Sequence, residues 1–291
     1  MEDGKHLFCF GMGYSARVFA QRCQEQGWKV TGTSRTADGV ARIQAAGADG
    51  LLFDGYDASP ELQQSLQCAT HVLVSAGPDD GGDPVLRGCA TAIAKLQVTK
   101  WIGYLSTVGV YGDHGGAWVD EATQVRPKSQ RSIRRVAAEN AWLAFADGKS
   151  WSLQVFRLAG IYGPGRSAVD KLRNGTARRL IKPGQVFNRI HVQDIANVLA
   201  AGLANAEHTG IFNVTDDEPA PPQDVVAYAA ELMGLPEPPD LPFDTADLSP
   251  MARSFYSENK RCRNDRIKTA FGVQLDYPTY REGLAALVAQ T

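Results

Sequence analysis

Short apolar runs alternate with amphipathic stretches along the first 160 residues. Leu7–Phe10 predicts a buried strand, and 16–26 puts Ala16, Phe19, Ala20 and Cys23 on one helical face before Gly27 closes it. The pattern then predicts strands over 28–33, 50–54, 71–76, 100–107 and 151–158. Helical periodicity fills 38–47, 60–67, 84–97 and 131–146 between them. Strands alternating with helices imply an α/β fold, a doubly wound parallel sheet whose ligands bind at the carboxyl ends of the strands.

The remaining chain is less regular. A strand is expected over 185–192, with Asp194 capping a helix at 195–204, and another helix over 221–234. Residues 174–179 suggest surface helix. Residues 235–250 carry Pro236, Pro238, Pro239, Pro242 and Pro250, which predicts an irregular surface connection. Asn259–Asn264 is a basic turn, read from its residues as a helix start with solvated charges. The expected division is a core over 1–160, also recruiting about 186–214, and a smaller C-terminal substrate lobe over 161–291.

The first strand runs into Gly11, Gly13, Tyr14, Ser15 and Ala16, a G-x-G-x-x-A turn that opens a helix. In a Rossmann unit the first glycine permits the tight turn and the second admits a pyrophosphate. The small third residue lets helix and strand pack closely. The helix N-terminus then faces the phosphates with its amide donors. An NAD-preferring protein usually ends the second strand in Asp or Glu. Here Thr33-Ser34-Arg35-Thr36 stands instead, so Ser34 and Arg35 predict an NADP cofactor, with NAD as the alternative and Arg35 as a solvated loop residue if that fails. Asp54 is placed to reach the adenine, and Ser75, Ala76, Gly77 and Pro78 form a small-residue turn along the cofactor.

Composition narrows the partners. The 291 residues are 44% hydrophobic and 21% charged, with a formal charge of −2, so no global field recruits nucleic acid or an anionic membrane. No apolar run approaches the ~20 residues of a membrane span. The polar N-terminus predicts no signal peptide. Five scattered cysteines without metal-ligand spacing predict reduced thiols, no metal site and a cytoplasmic protein.

Ser106-Thr107-Val108-Gly109-Val110-Tyr111-Gly112 follows the fifth strand. With Arg157–Gly165, Arg189–Ala196, Phe212–Pro219 and Tyr277–Leu284, this stretch resembles, in order, the NAD-dependent epimerase/dehydratase family of extended short-chain dehydrogenase/reductases. The glycine spacing is similar to that of atypical members. The resemblance implies a nicotinamide cofactor touching Ser106 and a small-molecule substrate, such as a nucleotide-sugar or another anionic metabolite. It also implies a homodimer through the helices near 84–97 and 131–146. As equal alternatives to the helices read from the residues, it implies substrate phosphate near Asn259–Asn264 and the nucleotide of a nucleotide-sugar bordering 174–179. Catalysis would involve Thr107 orienting the substrate oxygen and a tyrosine–lysine pair four residues apart.

Arginine stands at both of those positions, Arg131 and Arg135. A guanidinium keeps its proton at neutral pH and cannot cycle as an acid or base, although Arg135 can still hold ribose hydroxyls or a phosphate. Tyr111 or Tyr162 is then the candidate proton donor, each with a packing role as the alternative. Arg131 and Arg134 suit an anion clamp; Arg134 and Arg135 could equally pair with Glu139 on a solvated face. Tyr162, Arg189 and His191 complete the expected substrate side, with a structural histidine as the alternative for His191. Two functions follow: an oxidoreductase or epimerase/dehydratase of atypical mechanism, or a cofactor-binding sensor without turnover.

Overall fold

The computed structural model describes residues 4–290. Its first half repeats strand and helix: β1 (His6–Phe10), α1 (Tyr14–Glu25), β2 (Lys29–Ser34), α2 (Ala37–Ala45), β3 (Asp49–Leu52), α3 (Pro60–Gln67), β4 (His71–Val74), α4 (Pro84–Ala94) and β5 (Trp101–Thr107). A 3-10 turn (Val108–Tyr111) and β6 (Trp118–Val119) precede α5 (Gln130–Ala146) and β7 (Ser152–Leu158). Then come β8 (Gly160–Tyr162), α6 (Ala168–Arg173), β9 (Arg179–Ile181), β10 (Arg189–His191), α7 (Val192–Ala204) and β11 (Gly210–Val214). The chain closes with α8 (Pro222–Leu232), β12 (Asp240–Pro242), α9 (Pro250–Phe255), β13 (Arg261–Cys262), α10 (Asp265–Phe271) and α11 (Tyr280–Ala289).

Seven strands form one sheet in the order β11-β7-β5-β4-β1-β2-β3. β1 pairs in parallel with β2 on one side and β4 on the other. The winding therefore reverses between β1 and β4, the switch point at which such sheets bind ligands. All five residues of β1 are buried, as expected for a strand covered on both faces. The helices start where the local chemistry favours it. Thr36, Ser59 and Asp83 each accept hydrogen bonds from first-turn amides of α2, α3 and α4, and Pro60 and Pro84 occupy first-turn positions where no amide donor is needed.

The chain divides into two compact units. The first runs to Thr107 and adds 130–157 and 196–212; the second comprises 108–129, 158–195 and the chain from Asn213 on. The core of the first includes Phe8, Phe10, Leu62, Val72, Tyr104 and Trp142. That of the second gathers Tyr162, Val169, Ala229, Tyr280 and Leu284 from β8, α6, α8 and α11. Among the described residues no helix is long and apolar enough to cross a membrane, and no cluster of three metal-ligating side chains occurs.

Several expectations for the second unit are corrected. The strand foreseen over 185–192 shrinks to β10. Residues 174–179 are not helical: Asn174 ends α6 and β9 begins at Arg179. The proline-rich 235–250 contains β12, paired with β9. The basic turn at 259–264 does lead into α10, with Asn264 as its N-cap, but it also contains β13, paired with β6, and its charges are not all solvated: Lys260 is buried, donating to the Gly112 carbonyl and Glu258. Asp194 is not a cap, because α7 begins at Val192; its carboxylate instead accepts the amides of Asp276 (2.7 Å) and Tyr277 (3.0 Å).

Candidate functional site

At the switch point the glycine turn is held by β2 and β4. The Gly11 amide donates to Thr33 Oγ1 at 2.9 Å, and the Met12 amide to the Thr33 carbonyl at 3.0 Å. Ser75 and Ala76 both donate their amides to the Phe10 carbonyl at 2.9 Å. Gly11 has φ +79°, and a Cβ there would stand 3.1 Å from the Ala76 nitrogen, so both conformation and space require glycine. Gly13 is different. Its backbone is extended, φ −83°, and a Cβ would meet nothing within 4 Å. No side chain caps α1. The first-turn amides of Ser15 and Ala16 thus open onto a cradle that a methyl group would begin to fill. That is the shape and polarity a pyrophosphate needs, and these residues fit a dinucleotide cofactor.

The second strand ends at Ser34. The Ser34 hydroxyl accepts the Thr36 amide at 3.3 Å, which leaves its own proton to donate. Gly39 makes room for it, since a Cβ at that position would lie 2.7 Å from the Ser34 Cβ. Arg35 is exposed beside the N-terminus of α2, whose first turn also carries the exposed Asp38. Asp54 lies beyond β3, exposed, and accepts the Tyr56 amide. Gly77 is exposed and Pro78 half-buried in the turn after β4.

α5 contains no tyrosine and no lysine. Its Arg135 reaches back to the end of β5: Nη1 donates to the Tyr104 hydroxyl at 3.0 Å and to the Leu105 carbonyl at 2.9 Å. The guanidinium stands against the turn after β4, with Nη2 3.1 Å from where a Cβ of Gly77 would be. Burial raises the Tyr104 phenol above its ordinary range despite the arginine beside it, so that hydroxyl stays protonated. Arg134 pairs with Asp80 rather than with Glu139. Arg131 is exposed one turn earlier, and Thr107 is half-buried at the tip of β5.

Ser106, expected at the cofactor, is buried and donates to Glu139. Strand alternation is the reason: Tyr104 and Ser106 share the face of β5 that α5 covers, and Thr107 falls on the other. The sequence did not expose the partner, Arg157, which grips Glu139 from β7 with Nη2 at 2.7 Å. Nor did it expose the bidentate Arg87–Asp79 pair that anchors the loop after β4, where the arginine holds the Asp79 carboxyl down to about 2.

The second unit holds the other expected residues and buries three of them, Tyr111, Tyr162 and His191. Tyr111 is wholly buried, with its hydroxyl donating to Asn213 Oδ1 at 2.8 Å, the geometry of a packing role. Tyr162 is buried, edge-on to His191 at 5.1 Å between ring centroids, and burial raises its phenol. His191 also packs on Tyr277 at 4.1 Å, and burial lowers its imidazole to about 4. Arg189 donates from Nη1 to the carbonyls of Phe187 (2.9 Å) and Ala220 (3.0 Å).

Comparison with known proteins bears on the same elements. Residues 11–215 match the NAD dependent epimerase/dehydratase family. The chain belongs to that family. The match begins at Gly11 and runs through β11, so it includes the glycine turn, α5 and every strand of the sheet except β1. Among solved structures, a conserved protein of unknown function from Silicibacter pomeroyi DSS shares 54% identity, with a TM-score of 0.88 over 98% of this chain and 99% of that one. Protein YeeZ of Escherichia coli K12 is 29% identical over 248 residues, 81% of this chain and 86% of its own. A 3-diazoavenalumate denitrifying reductase from Streptomyces is 32% identical over 143 residues, and the match spans 45% of each chain.

Proposed function

We propose that the protein is an NADP(H)-dependent reductase acting on a small electrophilic substrate. The observation that carries this reading is the cradle at Gly11 and Gly13 combined with an α5 that offers fixed positive charge where the family resemblance expects a proton carrier. The bound nicotinamide would supply the hydride. The chain's own residues bind and orient. The first-turn amides of α1 face the pyrophosphate, Ser34 and Arg35 receive a 2′-phosphate, and Thr107 presents its hydroxyl to the substrate oxygen.

The direction follows from the chemistry of arginine. Oxidising an alcohol requires a base to take the hydroxyl proton, and neither Arg131 nor Arg135 accepts one at neutral pH. Delivering hydride places negative charge on the acceptor, which nearby guanidinium groups stabilise, and water supplies the proton. The Streptomyces relative, a reductase by name, agrees with this direction.

Calorimetric titration of cofactor-free protein with NADPH and NADH tests the reading. Binding of NADPH at least tenfold tighter than NADH supports it. Binding of neither overturns it, and tighter NADH binding removes the roles given to Ser34 and Arg35. The rival, a sensor that binds cofactor without turnover, is favoured if NADPH binds but no carbonyl, imine or diazo compound consumes it.

A further inference from the structure

We propose that Arg135 is a carboxylate receptor, so that the second ligand of this site is an organic acid; the inference rests on the cofactor-binding role proposed above. Both hydrogen bonds of Arg135 leave from one nitrogen, Nη1, and both go to neutral oxygens, the Tyr104 hydroxyl and the Leu105 carbonyl. Among the described residues no carboxylate forms an ion pair with it. The Nε–Nη2 edge is uncommitted. This edge carries two parallel N–H donors, the fork that matches the two oxygens of a carboxylate.

The surroundings keep that edge in place and accessible. Tyr104 and Leu105 fix the guanidinium from behind, and the Tyr104 ring lies 5.6 Å from its centre. In front stands Gly77, exposed, whose missing Cβ leaves the space beside Nη2 open. The buried Asp83 carboxyl feels the charge of Arg135 but forms no hydrogen bond or ion pair with it. Arg131, Arg134 and Arg135 all lie within the first six residues of α5, and the first turn contains no acidic residue. The helix dipole disfavours cations there, by about 0.3–1 kcal/mol each at exposed positions. Asp80 answers Arg134. Arg135 is half-buried and its hydrogen-bond partners are neutral, so its paired Nε and Nη2 donors remain for an anion.

The test uses the full chain loaded with NADPH, at constant ionic strength, titrated with benzoate, malonate and inorganic phosphate while NADPH fluorescence is followed. Benzoate or malonate is expected to give a saturable change that phosphate does not. Arg135→Gln should weaken that carboxylate binding at least tenfold while NADPH affinity changes less than threefold. Arg135→Lys should restore little, because a point charge lacks the paired donors. Gly77→Ala supplies an independent probe: with Arg135 intact, the added methyl beside Nη2 should weaken carboxylate binding at least threefold.

Saturation by phosphate alone, or carboxylate binding indifferent to both substitutions, overturns the proposal. So does a tenfold loss of NADPH affinity in Arg135→Gln, which would place the arginine on the cofactor. If NADPH itself does not bind the parent protein, the functional reading fails first; if it binds and carboxylates do not, the receptor proposal alone fails.

Discussion

Arg157 and Glu139 meet inside the first unit as a two-pronged ion pair, with Nε 3.2 Å from both carboxylate oxygens and Nη2 2.7 Å from one. Both side chains are out of solvent. The pair ties α5 to β7, and Ser106 adds β5. Removing one partner strands a buried charge, which typically costs about 3–5 kcal/mol. Glu139→Ala should therefore lower the urea midpoint sharply. The double variant Glu139→Ala, Arg157→Ala should lose less than the sum of the two singles, because no lone charge remains. Additive losses in chemical denaturation would contradict the coupling.

The two turn glycines should separate. Gly11→Ala forces a left-handed backbone and a contact with Ala76, so stability should fall by about 1–3 kcal/mol along with cofactor binding. Gly13→Ala adds a methyl in open space at an ordinary φ. Its thermal midpoint should stay close to that of the parent, while NADPH affinity drops at least tenfold because the cradle is filled. Equal thermal shifts for both variants would show that Gly13 is a folding residue.

Arg35→Asp should invert the cofactor preference. The substitution removes a cation from the proposed 2′-phosphate position and supplies the carboxylate that hydrogen-bonds ribose hydroxyls. NADPH affinity is expected to fall by at least tenfold while NADH affinity holds or rises. Ratios of the two dissociation constants, taken before and after substitution, check it.

Two histidines, one in each unit, predict the acid limb of stability. Burial lowers both His71 and His191 from 6.5 to about 4. The unfolded chain then binds protons that the folded chain refuses, so stability is full above pH 6.5 and falls as pH drops towards 4. Each contributes on the order of 3 kcal/mol across that window. His191→Gln should flatten part of the slope between pH 6.5 and 4 in denaturant titrations, whatever its effect at pH 7.5. An unchanged slope would mean that His191 is protonated in the native state.

The sheet was legible because its signals are local and repeated. Apolar strands of four to seven residues, caps such as Thr36 and Asp83, and the glycine turn each follow from a few adjacent residues. What escaped depends on partners far apart in sequence. Ser106 looked like a ligand until strand alternation aimed it at Glu139, 33 residues on. Asp194 looked like a cap, and only the fold brings it to the amides of Asp276 and Tyr277, 82 and 83 residues away. Tyr111 and Asn213 are separated by 102. The short parallel pairs β6–β13 and β9–β12 were invisible because strands of two or three residues carry no period.

Thr33 deserves an engineer's eye. It touches the turn twice, through its hydroxyl to Gly11 and its carbonyl to Met12. Cofactor swaps are usually attempted by grafting the end of the second strand from a protein of the desired preference. In this chain such a graft has a hard upstream limit. Position 35 is exposed and open to exchange, but a transplant that carries a valine into position 33 would delete the hydroxyl that shapes the first glycine. It would then damage the pyrophosphate seat while meaning only to retune the ribose.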